Sequence, residues 1–422
     1  MRSYLMFLVV VSSIILVLDL YVFQAIKILA TGSPLRRMLL WTFIGFTVFT
    51  ISVLLLSFFL NYSLWAKGLR TYVFAIIFLT YFVKLLFLPF LALDDLIRAV
   101  KWIGMKLNFN AVPFQDENGV GITRSAFLLI AGLMIATVPG LALVYGMIYG
   151  GTHYKVRKVR LVSPTLPKEF DGFKIVQFSD AHVGTFITTA PMEEAMGIIA
   201  AQEADLILFT GDLVNTVATE AEKFIPIFGK LTAPHGVYSI LGNHDYADYG
   251  NFTPEEKAAN FKAMKATHKA MNWKLMLDEN VEITRKGTSI ALAGCQNWGA
   301  KARFKKYGNI EKTLSGIPED RFTILMTHDP SHWEGQVLGH KHHVDLTLSG
   351  HTHGMQFGIR TNWLKWSPVQ YVYDQWIGLY KKAGKQLYVN AGLGYIGYPG
   401  RAGIRPEITV FELNRAKDPS LS

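Results

Sequence analysis

Val237-Tyr238-Ser239-Ile240-Leu241 is a short apolar run that leads directly into Gly242-Asn243-His244-Asp245. The run predicts a buried strand. An amide, an imidazole and a carboxylate in succession have little use in a packed core, where each needs a partner. At the end of a strand they suit a metal site that performs hydrolysis. The other ligands must then come from elsewhere in the chain.

Four further apolar runs end the same way. Phe173 to Ser179 is followed by Asp180-Ala181-His182, and Leu206 to Thr210 by Gly211-Asp212. Phe322 to Thr327 is followed by His328, and Leu346 to Ser349 by Gly350-His351-Thr352-His353. In α/β sheets, ligands gather at the carboxyl ends of strands. Oxygen and imidazole donors without thiolate suit manganese, iron or zinc in a hydrolytic site. Seven donors, Asp180, His182, Asp212, Asn243, His328, His351 and His353, exceed the needs of one ion with an open position. They suit two divalent ions sharing a carboxylate, about 3.5–4 Å apart, as in sites that clamp a phosphoryl displacement. The glycines before Asp212, Asn243 and His351 fit turns that bring backbone and substrate close together.

Asp-x-His, Gly-Asp, Gly-Asn-His-Asp, a lone His and Gly-His-x-His, in this order, resemble the calcineurin-like metallophosphoesterases. Within them, Gly-His-Thr-His-Gly and the later Leu387-Tyr388-Val389-Asn390-Ala391-Gly392-Leu393-Gly394 are similar to the bacterial membrane-associated branch. The likeness covers about Lys155 to Leu413 and implies a four-layer α/β/β/α sandwich. It also implies ligand roles. Asp180, His182 and His353 bind the first metal, Asp212 bridges, and Asn243, His328 and His351 bind the second. Water activated by the metals attacks phosphorus, His244 contacts the phosphate and leaving group, and Asp245 orients His244. Where that branch has a further glycine before Gln356, this chain has Met355, which is expected to crowd one wall of the site.

The N-terminal third has another texture. Apolar stretches run from about Tyr4 to Ile28, Met38 to Leu60, Tyr72 to Leu93 and Ala126 to Tyr149. Each meets the roughly 20 residues that a membrane-crossing helix needs. Asp19 and Lys84 fall inside two of these spans, where they either pair with each other inside the bundle or snorkel toward an interface. Asp94 to Phe109 places Leu96, Ile97, Val100, Ile103 and Leu107 at helical spacing opposite Arg98, Lys101 and Lys106, as in an interfacial helix on anionic lipid. Arg36 and Arg37 in the first loop, with Arg98, Lys101, Lys106 and Arg124 in the third, put these loops in the cytoplasm by the positive-inside rule. The catalytic domain would then be extracytoplasmic. Lys155, Arg157, Lys158 and Arg160 oppose that orientation unless they belong to the next domain's first strand, where they interleave with Tyr154, Val156, Val159 and Leu161.

The chain is therefore expected to hold a membrane domain with four transmembrane helices and an interfacial helix (1–150), a phosphoesterase domain (151–415) and a flexible tail (416–422). The net charge of +10, with no long basic run, favours a lipid surface over nucleic acid as partner. One cysteine, Cys295, excludes an intramolecular disulfide and a thiolate zinc cage. His340, His342 and His343 read as a solvated turn and His235 as a turn residue. His268 reads as part of a charged helical face with Lys262, Lys265 and Lys269; His153 and His332 have no evident partners. Between Arg360 and Lys385, Trp363, Trp366, Tyr371, Tyr373, Trp376 and Tyr380 form either a lip for lipid headgroups or a packed loop. The expected function is membrane-anchored, metal-dependent hydrolysis of a phosphoester, phosphodiester or pyrophosphate, on a lipid-linked or a soluble substrate. The alternative is a membrane sensor or scaffold that binds metal without turnover.

Overall fold

The computed structural model describes residues 2–60, 65–107, 124–301, 304–361 and 363–416. The chain divides into two compact units, Met1–Val144 and Tyr145–Ser422. The tail expected beyond Ala416 lies outside the described residues.

The first unit contains helices α1 (Arg2–Leu29), α2 (Arg36–Phe59), α3 (Lys67–Lys106) and α4 (Arg124–Tyr145). Among the described residues these are the four helices long and apolar enough to cross a membrane. Leu18, Val22 and Ala25 of α1 meet Phe87 and Leu91 of α3 and Leu129 and Ala136 of α4 in the core. Asp19 is buried there and pairs with Lys84 at 2.6 Å, the first of the two arrangements expected. Thr47 and Tyr81 also donate to the Asp19 carboxylate, at 2.5 and 2.8 Å. The ammonium of Lys84 lies over the rings of Phe43 and Tyr81, so both charges have several partners.

The expected interfacial helix is not a separate element. Span three continues through it without a break, as one helix of 40 residues. Asp94, where a new start was expected, does not cap a helix; its carboxylate accepts from Arg98 one turn on and from Ser125 of α4. Residues 108 and 109 of the expected segment lie outside the described residues.

The second unit is two six-stranded sheets with helices outside. The first sheet contains β1 (Lys155–Ser163), β2 (Phe173–Phe178), β3 (Leu206–Phe209), β4 (Val237–Ser239) and β5 (Lys274–Leu275). The second contains β6 (Glu279–Arg285), β7 (Thr288–Gly294), β8 (Thr323–Met326) and β9 (Leu346–Ser349). A small ribbon follows, β10 (Ile359–Arg360) with β11 (Lys365–Trp366). Then β12 (Gly378–Lys382) and β13 (Lys385–Val389) complete the second sheet and β14 (Glu407–Arg415) the first. The strand orders are β1-β14-β2-β3-β4-β5 and β12-β13-β9-β8-β7-β6. The basic run from Lys155 is thus an edge strand, paired in parallel with β14.

Alternation along each strand sorts the side chains between layers. Ile175, Leu206, Leu208 and Phe411 of the first sheet meet Leu292, Ile324, Met326 and Leu348 of the second. On the first sheet's outer face, Val176, Phe178, Ile207 and Phe209 meet α5 (Ala190–Ala200), α6 (Ile225–Phe228) and α7 (Pro254–Ala270). On the second sheet's outer face, Leu325, Leu387 and Val389 meet Ile310 and Leu314 of α8 (Ile310–Leu314) and Trp333. This is the expected α/β/β/α sandwich. The runs read as strands are apolar throughout because both faces are covered. Helix α7 begins at the capping box read from the sequence: the Thr253 hydroxyl accepts from the Glu256 amide, and Glu256 accepts from the Thr253 amide.

His268 departs from the expected charged face. It is fully buried, with Nδ1 2.8 Å from the Ser239 hydroxyl. Met264, Thr267, His268 and Met271 are all buried, so the ring belongs to the inner stripe of α7 and the lysines to the outer. His342 is buried too, with Nε2 3.0 Å from the Thr323 hydroxyl, and the His340 ring is covered and lies 3.2 Å from Glu311, so of the expected solvated turn only His343 stays half-buried.

Burial lowers the pKa of His268 to about 3. The unfolded chain therefore takes up a proton below about pH 6.5 that the folded chain refuses, and stability falls with pH from there down to the folded value. Wild type is expected to lose about 1.4 kcal/mol per pH unit more than His268→Asn between about pH 6 and pH 4. Denaturant titrations of both proteins across that range measure the difference; parallel stability curves would refute a buried neutral imidazole.

Candidate metal centre

Both sheets deliver their strand ends to one place. From the first come Asp180 and His182 after β2, Asp212 after β3, and Asn243 after β4; from the second come His328 after β8 and His351 and His353 after β9. Their ligand atoms fall into compact groups, each with donors within 4.8 Å of one another. One group is Asp180, His182 and His353; another is Asp212, His328 and His351; a third joins His182 and Asp212 to His244. Asn243 adds its Oδ1, 2.8 Å from His351 Nδ1. All seven residues expected as ligands are together.

Asp212 lies between the groups. Its Oδ1 accepts from the His244 amide at 2.8 Å. That leaves Oδ2 facing His328 Nε2 at 3.0 Å and His182 Nε2 at 3.6 Å, one histidine from each side. Burial opposes the charge on Asp212, but His328 and His244 beside it hold the carboxyl well below the usual range. Conversely, burial disfavours a charged His328, yet Asp212 and Asp180 push it up to about 10, while burial brings His182 down to about 3. Positive charge is thus favoured at His328, beside Asp212, and disfavoured at His182.

The donor set fits a cation. His182 Nε2 and His353 Nε2 face each other across 3.1 Å, with Asp180 Oδ1 3.2 Å from the latter. The Thr210 carbonyl lies 2.7 Å from His328 Nδ1 and holds a proton there, so it is Nε2, buried and facing Asp212 Oδ2 at 3.0 Å, that would turn its lone pair to a cation. Asp180, His182, Asp212, His351 and His353 all have positive φ, between 43° and 73°. Left-handed backbone costs of order 1–2 kcal/mol per residue, so the ligand loops are strained, as at many functional sites. Glycine is required beside them: a Cβ on Gly242 would stand 2.2 Å from Asp212 Oδ1, and one on Gly350 2.2 Å from Asp180 Oδ2.

Asp245 does not orient His244. Its carboxylate accepts the amides of Asp212, Leu213, Val214 and Gly242, at 2.9–3.2 Å, and so ties the loop after β3 to the loop after β4. His244 is held by the Asn215 carbonyl, 2.7 Å from its Nδ1, and by the ring of Tyr249 stacked at 4.1 Å. Adjacent residues on this turn point to opposite sides. Met355 does not crowd the site either; its side chain is 58% exposed. Its φ of +53° explains why glycine suits that position.

Other side chains reach the site, of which only Tyr373 belongs to a segment singled out in the sequence. Tyr373 places its hydroxyl 2.9 Å from His351 Nε2 and donates to Asp329 at 3.3 Å. Tyr249 accepts from the Asn243 amide at 2.6 Å. Arg401 is buried with one guanidinium nitrogen 3.1 Å from His353 Nδ1, and its own amide donates to Gly146 in the π-turn Gly146–Gly150 that follows α4. His332 is also buried, between the Thr327 hydroxyl and Gln336.

Known proteins share this arrangement. The profile of the calcineurin-like phosphoesterases matches residues 173–355, and that of the probable calcineurin-like phosphoesterase transmembrane domain matches 1–151. The Bacillus subtilis metallophosphoesterase YkuE is 32% identical over 309 residues, covering 69% of this chain and 98% of the relative. The transmembrane protein with metallophosphoesterase domain of Danio rerio is 28% identical over 65% of this chain and 60% of its own length. Its Bos taurus counterpart is 27% identical over 74% and 69%. With the ligand-bearing strand ends assembled as described, the chain belongs to the calcineurin-like metallophosphoesterases, as a multi-pass membrane member and a hydrolase.

Proposed function

We propose that this protein uses two divalent cations (manganese, iron or zinc) to hydrolyse a phosphoester, phosphodiester or pyrophosphate on a lipid-linked substrate at an extracytoplasmic membrane face. The observation that carries the dinuclear reading is Asp212, whose Oδ2 faces donors of both groups. Asp180, His182 and His353 would hold one cation and Asn243, His328 and His351 the other, with Asp212 between. The chemistry the cations supply when bound is Lewis acidity toward phosphoryl oxygens and acidification of water. The chain's own residues position and protonate. With Nδ1 held by Asn215, His244 presents Nε2 to the substrate, and in its protonated form it donates to a phosphate or leaving-group oxygen. Tyr249 keeps that ring in place by stacking.

Two surfaces support a lipid-linked substrate. Beside Asn243 and Tyr249 opens a cavity of about 490 Å³ that contains Lys305 and Tyr307. These two residues also line a neighbouring cavity of about 700 Å³ with Phe252, Ala258 and Phe261, so a phosphate at the site has an apolar path beside it. On the other side, Tyr373 belongs to the site, while Tyr371 and Trp363 of the same segment are 77% and 83% exposed. Val369, Tyr373, Trp376 and Ile377 of that segment pack together. The segment thus has an anchored inner half and an outer half suited to headgroups. The extracytoplasmic face follows from the basic first and third loops.

The purified chain is expected to hydrolyse a chromogenic phosphodiester with manganese and to lose that activity on chelation. Asp212→Ala should abolish both turnover and metal content, whereas His244→Ala should keep the metal and lose roughly a hundredfold or more in kcat. Turnover that survives exhaustive chelation would refute the metal mechanism. Asp245→Ala frees four buried amides at about 1–3 kcal/mol each and should destabilise the protein markedly; an unchanged melting temperature would contradict its role as a tie. Trp363→Ser with Tyr371→Ser should lower kcat/KM for a vesicle-borne phospholipid and leave the soluble ester unaffected. Equal effects on both substrates would refute the lip.

A further inference from the structure

The helical bundle contains a site of its own. A cavity of about 510 Å³ opens among Tyr21, Gln24 and Lys27 of α1, Arg36 at the start of α2, and Asp95 and Arg98 of α3. A second cavity, of about 380 Å³, is almost wholly apolar and lies among Val22, Ile26, Phe43, Phe87, Leu133 and Leu141. The two lie along the same stripes of α3 and α4. On α3, Lys84 and Phe87 of the apolar cavity are followed at three- or four-residue intervals by Leu91, Asp95 and Arg98 of the basic one. On α4, Leu129 of the basic cavity precedes Leu133, Thr137 and Leu141 of the apolar one at intervals of four. Residues at this spacing share one helix face, so the basic cavity and the apolar groove lie in line along α3 and α4. Leu141 remains largely exposed, so the groove opens toward lipid.

The charges at the mouth are unequal. Arg98 is occupied by Asp94 and Asp95, and Tyr21 donates to Asp95 at 2.7 Å. Lys27 is half-buried and Arg36 exposed, and among the described residues no carboxylate lies within 4.0 Å of either. Two cations without counter-ions above an apolar groove match a phosphate that carries acyl chains. Basic pockets between membrane helices bind anionic headgroups on the same principle.

We propose that this cavity pair binds one anionic phospholipid, with its phosphate on Lys27 and Arg36 and an acyl chain in the groove between α3 and α4. The site belongs to the membrane unit and uses none of the residues assigned to hydrolysis. The bound lipid is a resident of the bundle, set by the composition of the leaflet in which the first and third loops lie.

Native mass spectrometry of the full-length protein in detergent, with phosphatidylglycerol or phosphatidylcholine of equal chain length, tests this. Phosphatidylglycerol is expected to form a single retained adduct and phosphatidylcholine a weaker one. Lys27→Ala with Arg36→Ala should weaken phosphatidylglycerol binding about thirtyfold, the loss expected for two headgroup-facing cations. Arg37→Ala with Lys101→Ala removes equal charge from the same end but lines neither cavity, and should have little effect. Equal losses in the two double variants would show diffuse attraction and overturn the site, as would equal affinity for the two lipids. Glycerol 1-phosphate should fail to compete; displacement of the lipid by it at comparable concentration would overturn the role of the groove. Hydrolysis of a soluble ester by the Lys27/Arg36 variant should stay unchanged.

Discussion

A metal centre built from two sheets imposes one constraint before any chemistry: both sheets must end their strands at the same edge. Here the first supplies Asp180, His182, Asp212 and Asn243, and the second His328, His351 and His353. The layer between them, Ile175, Leu206 and Leu208 against Ile324, Met326 and Leu348, therefore does more than stabilise. It sets the distance between the donors that the two sheets present. A slip of one residue in either sheet would exchange inner for outer side chains and move every ligand on that side.

Strain and its compensation are concentrated at that edge. Five ligand residues adopt left-handed backbone, which only a well-anchored loop sustains. Asp245 supplies part of the anchoring by collecting four amides from two loops. Arg401 supplies another part, reaching His353 on one side and the π-turn after α4 on the other. The carboxylate next to His244 in sequence thus ties two loops together, and an arginine distant in sequence is adjacent to His353.

This contrast shows what the sequence reveals. That these seven donors would meet was legible because each follows an apolar run directly, often after a glycine, so strand, turn and donor appear within a few residues. The four spans were legible from length and composition, and the Asp19–Lys84 pair as one of two ways to meet the cost of either charge alone in lipid. Asp245 was given the role that the resemblance implies, but its carboxylate gathers four amides while His244 is held by Asn215. Tyr249, Asp329, Tyr373 and Arg401 reach the site from loops whose paths no local pattern encodes. His268 could have been placed: Met264, Thr267 and Met271 mark its stripe, but three lysines nearby obscured the phase.

The order β1-β14-β2 carries a consequence for biosynthesis. The strand that leaves the membrane region first pairs with residues 407–415 and has no other neighbour in its sheet. During synthesis, β2, β3 and β4 can align as soon as they emerge, since they are parallel neighbours with local crossovers. Residues 155–163 must wait some 250 residues, or roughly 10–50 s at typical elongation rates, for their partner. Through that interval the segment beside the bilayer is an unpaired basic strand, whose lysines and arginines discourage premature edge-to-edge association. Final closure of the sheet is thus a timed event, and the nascent domain is complete only after residues 407–415 have been translated.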